Sequence, residues 1–413
     1  MPMKFSHNDL LTLLIAIGIM LILARLISEL GKKFKLPIVM GELIVGILLG
    51  PTVLGSIDPG LFKSLFPSAG AAKIALDGIT SLAVIMLLFV AGMEVQLQIM
   101  LKQGKTAIYT SFTSMIIPFA LGFAAVWFAP HWFNLTPGND LVYSIFFGTA
   151  MAISAIPVIA KILMDLNIYK TRVGQIVIAS AIFDDLTGWL LFSLVLSMMG
   201  KEGEITNVWY SVGMILGFGL FMLLIGRRII DRALPWVQSR LSWPGGVLSL
   251  AFGLCFLSAA FTENIGLHAI LGAFIMGIAF GDSVHLHERA REIIHQFVTN
   301  VFAPLFFVSL GLKVNFIQNF DLQLVAIVLF LAVVCKLIGA SLGAYMGGLS
   351  KRESIAVGFG LNARGAMEII LGTLALNAGL IDERMFVALV IMALVTSLIS
   401  GPLMKKFIES NPD

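Results

Sequence analysis

Two adjacent carboxylates, Asp184 and Asp185, stand near the middle of the apolar stretch IVIASAIFDDLTGWLLFSLV. A charge at mid-membrane costs at least about 2.5 to 3.5 kcal/mol per residue on insertion scales, so each one asks for a reason. Neighbouring residues on a helix point about 100° apart, so the two acids cannot serve identically. A second apolar stretch, VVCKLIGASLG, carries Lys336 near its middle. One lysine against two aspartates leaves net negative charge in the membrane, which suits a cation site. Asp184 is open to two readings, half of a structural ion pair with Lys336 or an ion ligand. Asp185 is the acid that takes a functional reading by default.

Two more stretches carry polar or helix-breaking residues. AISAIPVIAK holds Ser154 and Pro157, and Pro157 removes a backbone donor, so the carbonyl near Ile153 is expected to lose its helix partner. GFGLNARGAMEIILG holds Gly358, Gly360, Gly365 and Gly372 around Asn362, Arg364 and Glu368. Paired interrupted helices point to a transport site, since freed carbonyls can bind a cation and half-helix ends supply dipoles. Arg364 and Glu368, spaced i and i+4, form a candidate internal pair that neutralises those ends. Ser154 alone is a weak signal, because serine often bonds back to its own helix.

The elements that position these residues follow from composition. The chain has 413 residues, 58% hydrophobic and 12% charged, against about 25% charged in a soluble domain, so lipid is its main solvent. Cys255 and Cys335 lie in apolar segments and read as packing residues. At about 20 apolar residues per crossing, thirteen segments qualify: 9–29, 37–54, 76–97, 106–129, 141–163, 172–198, 208–228, 246–262, 266–281, 293–312, 322–346, 354–378 and 385–407. With the C-terminus inside, the inner loops collect eighteen of the 27 Lys and Arg, including Lys32, Lys33, Lys35, Lys102, Lys170, Arg227, Arg228, Lys351, Lys405 and Lys406. The outer side holds six, Lys4, Lys63, Lys73, Lys201, Lys313 and Arg384. The excess of cytoplasmic basic residues puts the N-terminus out and the C-terminus in.

The second segment reads GELIVGILLG (Gly41 to Gly50) and the ninth GAFIMGIAFG (Gly272 to Gly281), with glycines at the same relative positions. The third ends FVAGMEV and the tenth FVSLGLKV. Both copies lie seven segments apart, and an odd separation inverts the second. Inverted repeats belong to secondary transporters with a midplane site between the halves. The division expected is a first repeat over about 9–198, a linker span over about 208–228 and a second repeat over about 246–407. All of 1–413 is expected to form a single transmembrane domain, with no soluble regulatory domain.

At this point the chain resembles the monovalent cation:proton antiporter-2 family, which includes bacterial sodium/proton antiporters, Kef-type potassium systems and plant cation/proton exchangers. The resemblance spans essentially the whole chain and is carried by KLPIVMGELIVGILLGPTVLG, LLFVAGMEV, AISAIPVIAKIL, FDDLTGW, PLFFVSLGLKV, CKLIGASLG and NARGAMEII together. It implies an all-α fold of about thirteen crossing helices, with a six-helix core domain moving against a dimerisation domain, hence a homodimer. It implies that Asp185 carries cation and proton in turn and that Asp184 pairs with Lys336, a combination associated with electrogenic exchange. Kef-type members usually have Gln at the first acidic position and a long C-terminal nucleotide-binding domain, whereas here there is Asp184 and the sequence stops at Asp413. Some sodium antiporters have an acid directly after RG, where this chain has Ala366, and NARGAMEII with Glu368 is closer to the plant exchangers.

The mechanism implied is competition of proton and cation for Asp185, with the carrier crossing only when loaded. Sodium is the favoured cation, with potassium or lithium as alternatives, and the membrane is the plasma (inner) membrane. No cofactor and no nucleic-acid partner are implied; net charge is only +3. A membrane enzyme holding a divalent metal on the two aspartates is a poorer reading, because there is no HExxH and no further acidic cluster near Asp184. A channel is poorer too, since channels use a continuous pore and ringed selectivity residues.

Overall fold

The computed structural model describes residues 5–33, 38–95, 105–133, 140–166, 168, 169, 171–198 and 208–409, and the regular elements among them are helical. They are α1 (His7–Lys33), α2 (Ile38–Leu49), α3 (Leu54–Ile57), α4 (Pro59–Leu65), α5 (Ala71–Glu94), α6 (Lys105–Phe128), α7 (Asp140–Ala152), α8 (Ile156–Asp165), α9 (Arg172–Met198) and α10 (Val208–Phe221). There follow α11 (Arg227–Arg240), α12 (Gly245–Asn264), α13 (Ala269–Gly281), α14 (Glu288–Phe297), α15 (Ala303–Lys313), α16 (Leu322–Met346), α17 (Lys351–Leu361), α18 (Ala366–Asn377) and α19 (Glu383–Glu409). Of the basic residues used for orientation, Lys4, Lys35, Lys102, Lys170 and Lys201 lie outside the described residues, as do residues 37, 96 and 97 of the predicted segments.

Each of the thirteen predicted segments falls mostly on helix. Length and composition alone qualify ten as membrane spans, and the α17–α18 pair, bent by 46°, is an eleventh. The remaining two predicted segments contain shorter apolar helices, α13 and the α7–α8 pair. The 208–228 segment ends too early. A π-helical turn at Met222–Gly226 leads directly into α11, so the helix runs on to Arg240. The sequence RRIIDRALPWVQSR permits this because Ile230, Leu234 and Val237 share one buried face while the charges take the other. The α14 helix likewise starts at Glu288, ahead of the predicted 293, burying Ala290 and Ile294. The short α4 was not expected; Asp58 caps it by accepting from Leu61 N at 2.9 Å.

The chain divides into two compact units, each drawing on both halves of the sequence. The first comprises Met1–Val95 and Met214–Asn319. Its core joins Ala16, Met20 and Ala24 of α1 to Val45 of α2 and to Leu305 and Val308 of α15. The repeated glycines sit at backbone contacts. A Cβ on Gly46 of α2 would collide with Val308 O and lie 2.9 Å from Gly311 Cα in α15, and one on Gly277 of α13 would collide with Phe89 O and lie 3.0 Å from Gly92 Cα in α5. The second predicted span therefore packs on the tenth and the ninth on the third, each through matching small residues that let backbones meet.

The second unit comprises Gln96–Gly213 and Phe320–Asp413, and contains α6 to α9 and α16 to α19. Its helix starts are set by polar caps. Asp321 accepts from Gln323 N and Leu324 N at the head of α16, and Ser350 forms a capping box with Glu353 at the head of α17. Cys255 of the first unit and Cys335 of the second are both buried free thiols.

Candidate cation site

All of the candidate residues lie in the second unit. The α6 helix contains Pro118, and a proline offers no N–H, so the carbonyl four residues earlier lacks its helical donor. That carbonyl, Ser114 O, accepts instead from Lys336 Nζ of α16 at 3.0 Å. The α7 helix stops at Ala152 and α8 begins at Ile156, with Pro157 in the first turn of α8, where a missing donor costs little. The last carbonyls of α7 are left without helical donors and carry the negative end of its dipole. Arg364 donates to Ala150 O through Nη1 and to Met151 O through Nη2 at 2.6 Å, while Lys336 Nζ donates to Ala152 O.

This sharpens one expectation and corrects another. The carbonyls near Ile153 that lose helical donors include those of Ala150 to Ala152, because the helix ends before Pro157. These carbonyls are also occupied by side-chain cations, so they are not open to bind a transported ion. Lys and Arg at a helix C-terminus are the favourable sign for its dipole.

The second break lies between α17 and α18 and holds Asn362 to Gly365. The two unwound segments cross peptide to peptide, with Ala155 N donating to Ala363 O at 3.0 Å. Ser154 Oγ lies 2.7 Å from Leu361 O and 2.9 Å from Asp184 Oδ2. Its single proton serves one of these acceptors at a time. Arg364 Nη1 stands 3.2 Å from Glu368 Oε2, and Ser397 Oγ of α19 donates to Arg364 O. Asn362, Arg364 and Glu368 are all buried.

Asp184 comes from the middle of α9 and is wholly buried, as is Lys336. Its Oδ2 accepts from Lys336 Nζ at 2.6 Å and its Oδ1 from Ser114 Oγ at 2.9 Å. The three protons of the Lys336 ammonium thus have three acceptors, Asp184, Ser114 O and Ala152 O. Asp185, next on the same helix, is 2% exposed. Ser114, Pro118 and Ser397 went unremarked in the sequence. Pro118 was the available signal, since a proline in an apolar 24-residue helix frees a carbonyl just as Pro157 was expected to do.

The sequence profile described as sodium/hydrogen exchanger, transmembrane, matches residues 12–409. The chain belongs to this family. It is therefore a multi-pass membrane cation/proton exchanger, a transporter and not an enzyme. It is 31% identical to the Na(+)/H(+) antiporter NhaS4 of Synechocystis sp., over 97% of this chain and 98% of that one. Against the Na(+)/H(+)-K(+) antiporter GerN of Bacillus cereus identity is 28%, covering 94% of each. It is 30% identical to the K(+)/H(+) antiporter 1 of Saccharomyces cerevisiae over 97% of this chain, but spans only 47% of that relative's length. The fold matches that of the sodium proton antiporter MjNhaP1 from Methanocaldococcus jannaschii, with a TM-score of 0.67 over 97% of both chains at 17% identity.

Proposed function

We propose that this exchanger moves Na+ against H+ by alternating access, with Asp185 as the carrier acid and the Asp184–Lys336 pair as its fixed neighbour. The observation that carries this reading is the way Lys336 is used up. Its ammonium binds Asp184 at 2.6 Å and two vacated carbonyls, so it is held in place beside the acid pair, and Asp185, buried next on the same helix, is the acid assigned to load and unload. A carboxylate binds a proton or a cation but not both well, and exchange follows if the carrier crosses only when loaded. Ser154 supports Asp184, Arg364 and Glu368 pair at the crossing, and Pro157 and Asn362 stand at its two breaks.

The further parts of this reading are thirteen crossings with the N-terminus out and the C-terminus in, inverted repeats over about 9–198 and 246–407 joined by a linker span, and a homodimer in the plasma membrane. The crosswise glycine contacts of α2 with α15 and α13 with α5 support the repeat. Potassium is the second reading for the cation, favoured by the similarity to the yeast K(+)/H(+) antiporter 1.

The test is fluorescent proton flux in everted vesicles challenged separately with Na+, K+ and Li+. Asp185→Asn is expected to abolish flux with every cation while the protein still inserts and folds, because an amide neither titrates nor attracts a cation by charge. Cation-dependent flux persisting in that variant refutes the carrier assignment.

A further inference from the structure

Six of the backbone oxygens around the crossing of the two broken helices are engaged by protein donors. Ala150 O and Met151 O take Arg364, Ala152 O takes Lys336, Leu361 O faces Ser154 Oγ, Ala363 O takes Ala155 N and Arg364 O takes Ser397. A cation that sheds water here needs oxygen from elsewhere, because ion sites in membranes replace the hydration shell with protein oxygens.

One neutral side-chain oxygen at the crossing has not been accounted for. Asn362 is fully buried, and neither its Oδ1 nor its Nδ2 has a hydrogen-bond partner among the described residues. A buried amide in that condition is costly, and its persistence in a native fold asks for an explanation. Its place is fixed by its neighbours on either side. Leu361 O is 2.7 Å from Ser154 Oγ, which is 2.9 Å from Asp184 Oδ2, and Ala363 O receives Ala155 N at 3.0 Å. Glu368 Oε1, also buried without a hydrogen-bond partner among the described residues, belongs to a carboxylate already engaged by Arg364.

We infer that Asn362 Oδ1 is a direct ligand of the transported monovalent cation beside the aspartate pair, and so sets cation affinity and selectivity. This rests on the exchange reading given above. An amide oxygen adds a ligand without adding charge, and at working pH it binds no proton. Asn362 therefore strengthens the cation-loaded state and leaves the proton-loaded state alone.

That asymmetry supplies the test. Proton flux in proteoliposomes is titrated with Na+ and with K+ for the wild type, Asn362→Leu and Asn362→Asp, alongside cation-dependent melting in detergent. Asn362→Leu is expected to raise the half-saturating cation concentration by about tenfold or more, tenfold corresponding to about 1.4 kcal/mol. It melts no lower, since an apolar replacement removes an unsatisfied amide. Asn362→Asp is expected to restore or tighten cation binding and to change the order of Na+ and K+. If Asn362→Leu does not fold, the Asp variant and the sodium-dependent melting shift of Asn362→Ala decide. Half-saturation unchanged for both cations in every folded variant overturns the inference, as does a uniform loss of rate and melting temperature that saturating cation does not rescue. Wild-type protein that shows no cation-dependent flux overturns the exchange reading and the inference together, whereas flux with unchanged half-saturation overturns the inference alone.

Discussion

Replacing Lys336 by Gln leaves Asp184 as an ionised, wholly buried carboxylate whose remaining donors are Ser114 Oγ and Ser154 Oγ, each at 2.9 Å. Removing one partner of a buried ion pair costs about 3 to 5 kcal/mol, because the other charge is stranded. The Gln amide still has N–H groups for Ser114 O and Ala152 O, so the loss comes chiefly from the charge. Asp184→Asn strands the lysine instead, but with two carbonyl acceptors still in place, so its cost falls below that of the lysine change. With both residues neutral no charge is stranded, and much of the loss returns. The coupling expected is about 2 to 3 kcal/mol, the upper part of the range for residues in contact. For a unit of this size about 1 kcal/mol shifts melting by roughly 2 to 4 °C. Lys336→Gln then melts about 6 to 20 °C lower, and the double variant recovers about 4 °C or more relative to the sum of the single changes. Melting in detergent for the wild type, both single variants and the double variant completes the cycle. Additive losses, within about 0.5 kcal/mol, refute the contact between α9 and α16 and with it the assignment of Lys336 as the fixed partner.

Exchange is expected to be electrogenic, with rate and equilibrium gradient responding to an imposed potential by about 2.3 kcal/mol per net charge per 100 mV; indifference to voltage means one-for-one exchange and a purely structural Asp184–Lys336 pair. Gly46→Ala and Gly277→Ala are each expected to lower melting by the equivalent of about 1 to 3 kcal/mol, since the added methyl overlaps a backbone carbonyl across the helix contact. Gly18→Ala, with nothing within 4 Å of the added carbon, is the control and changes little. Pro118→Ala gives Ser114 O a helical donor again, so it is expected to shrink the melting penalty of Lys336→Gln; an undiminished penalty would show that the proline-vacated carbonyl does not help to hold the lysine.

The apolar segments, the two breaks and the ionisable residues were legible because membranes make them conspicuous. A charge in hydrocarbon is rare, and a glycine- or proline-interrupted span stands out against a 20-residue apolar run. What remained hidden was which oxygen each cation takes. Arg364 was expected to answer Glu368 across one turn, yet it also reaches the carbonyls of Ala150 and Met151, more than two hundred positions away. Such contacts are long-range in sequence and leave no local periodicity. The extension of the seventh span to Arg240 was hidden for a different reason, since α11 is polar on average and only its face pattern marks it as helix.

Among the described residues of the second unit, five buried side chains are carboxylic acids or strong bases: Asp184, Asp185, Glu368, Lys336 and Arg364. In their ordinary charge states three acids face two bases, leaving one net negative charge. One proton or one monovalent cation cancels it. An uncancelled buried charge is expensive in hydrocarbon, so the empty carrier is the form least able to change its exposure. That is the condition antiport needs. A proton-loaded form that also protonates Asp184 beside the charged Lys336 carries one charge more than the cation-loaded form, which is the electrogenic case. The charge balance also separates the roles of the acids, since Asp184 and Glu368 are balanced by Lys336 at 2.6 Å and Arg364 at 3.2 Å. Under the exchange reading proposed above, Asp185 is the acid whose charge the exchanged ions neutralise in turn. Asp185→Asn is therefore expected to lock a site that is already neutral. It loses exchange without losing stability, whereas Lys336→Gln loses both.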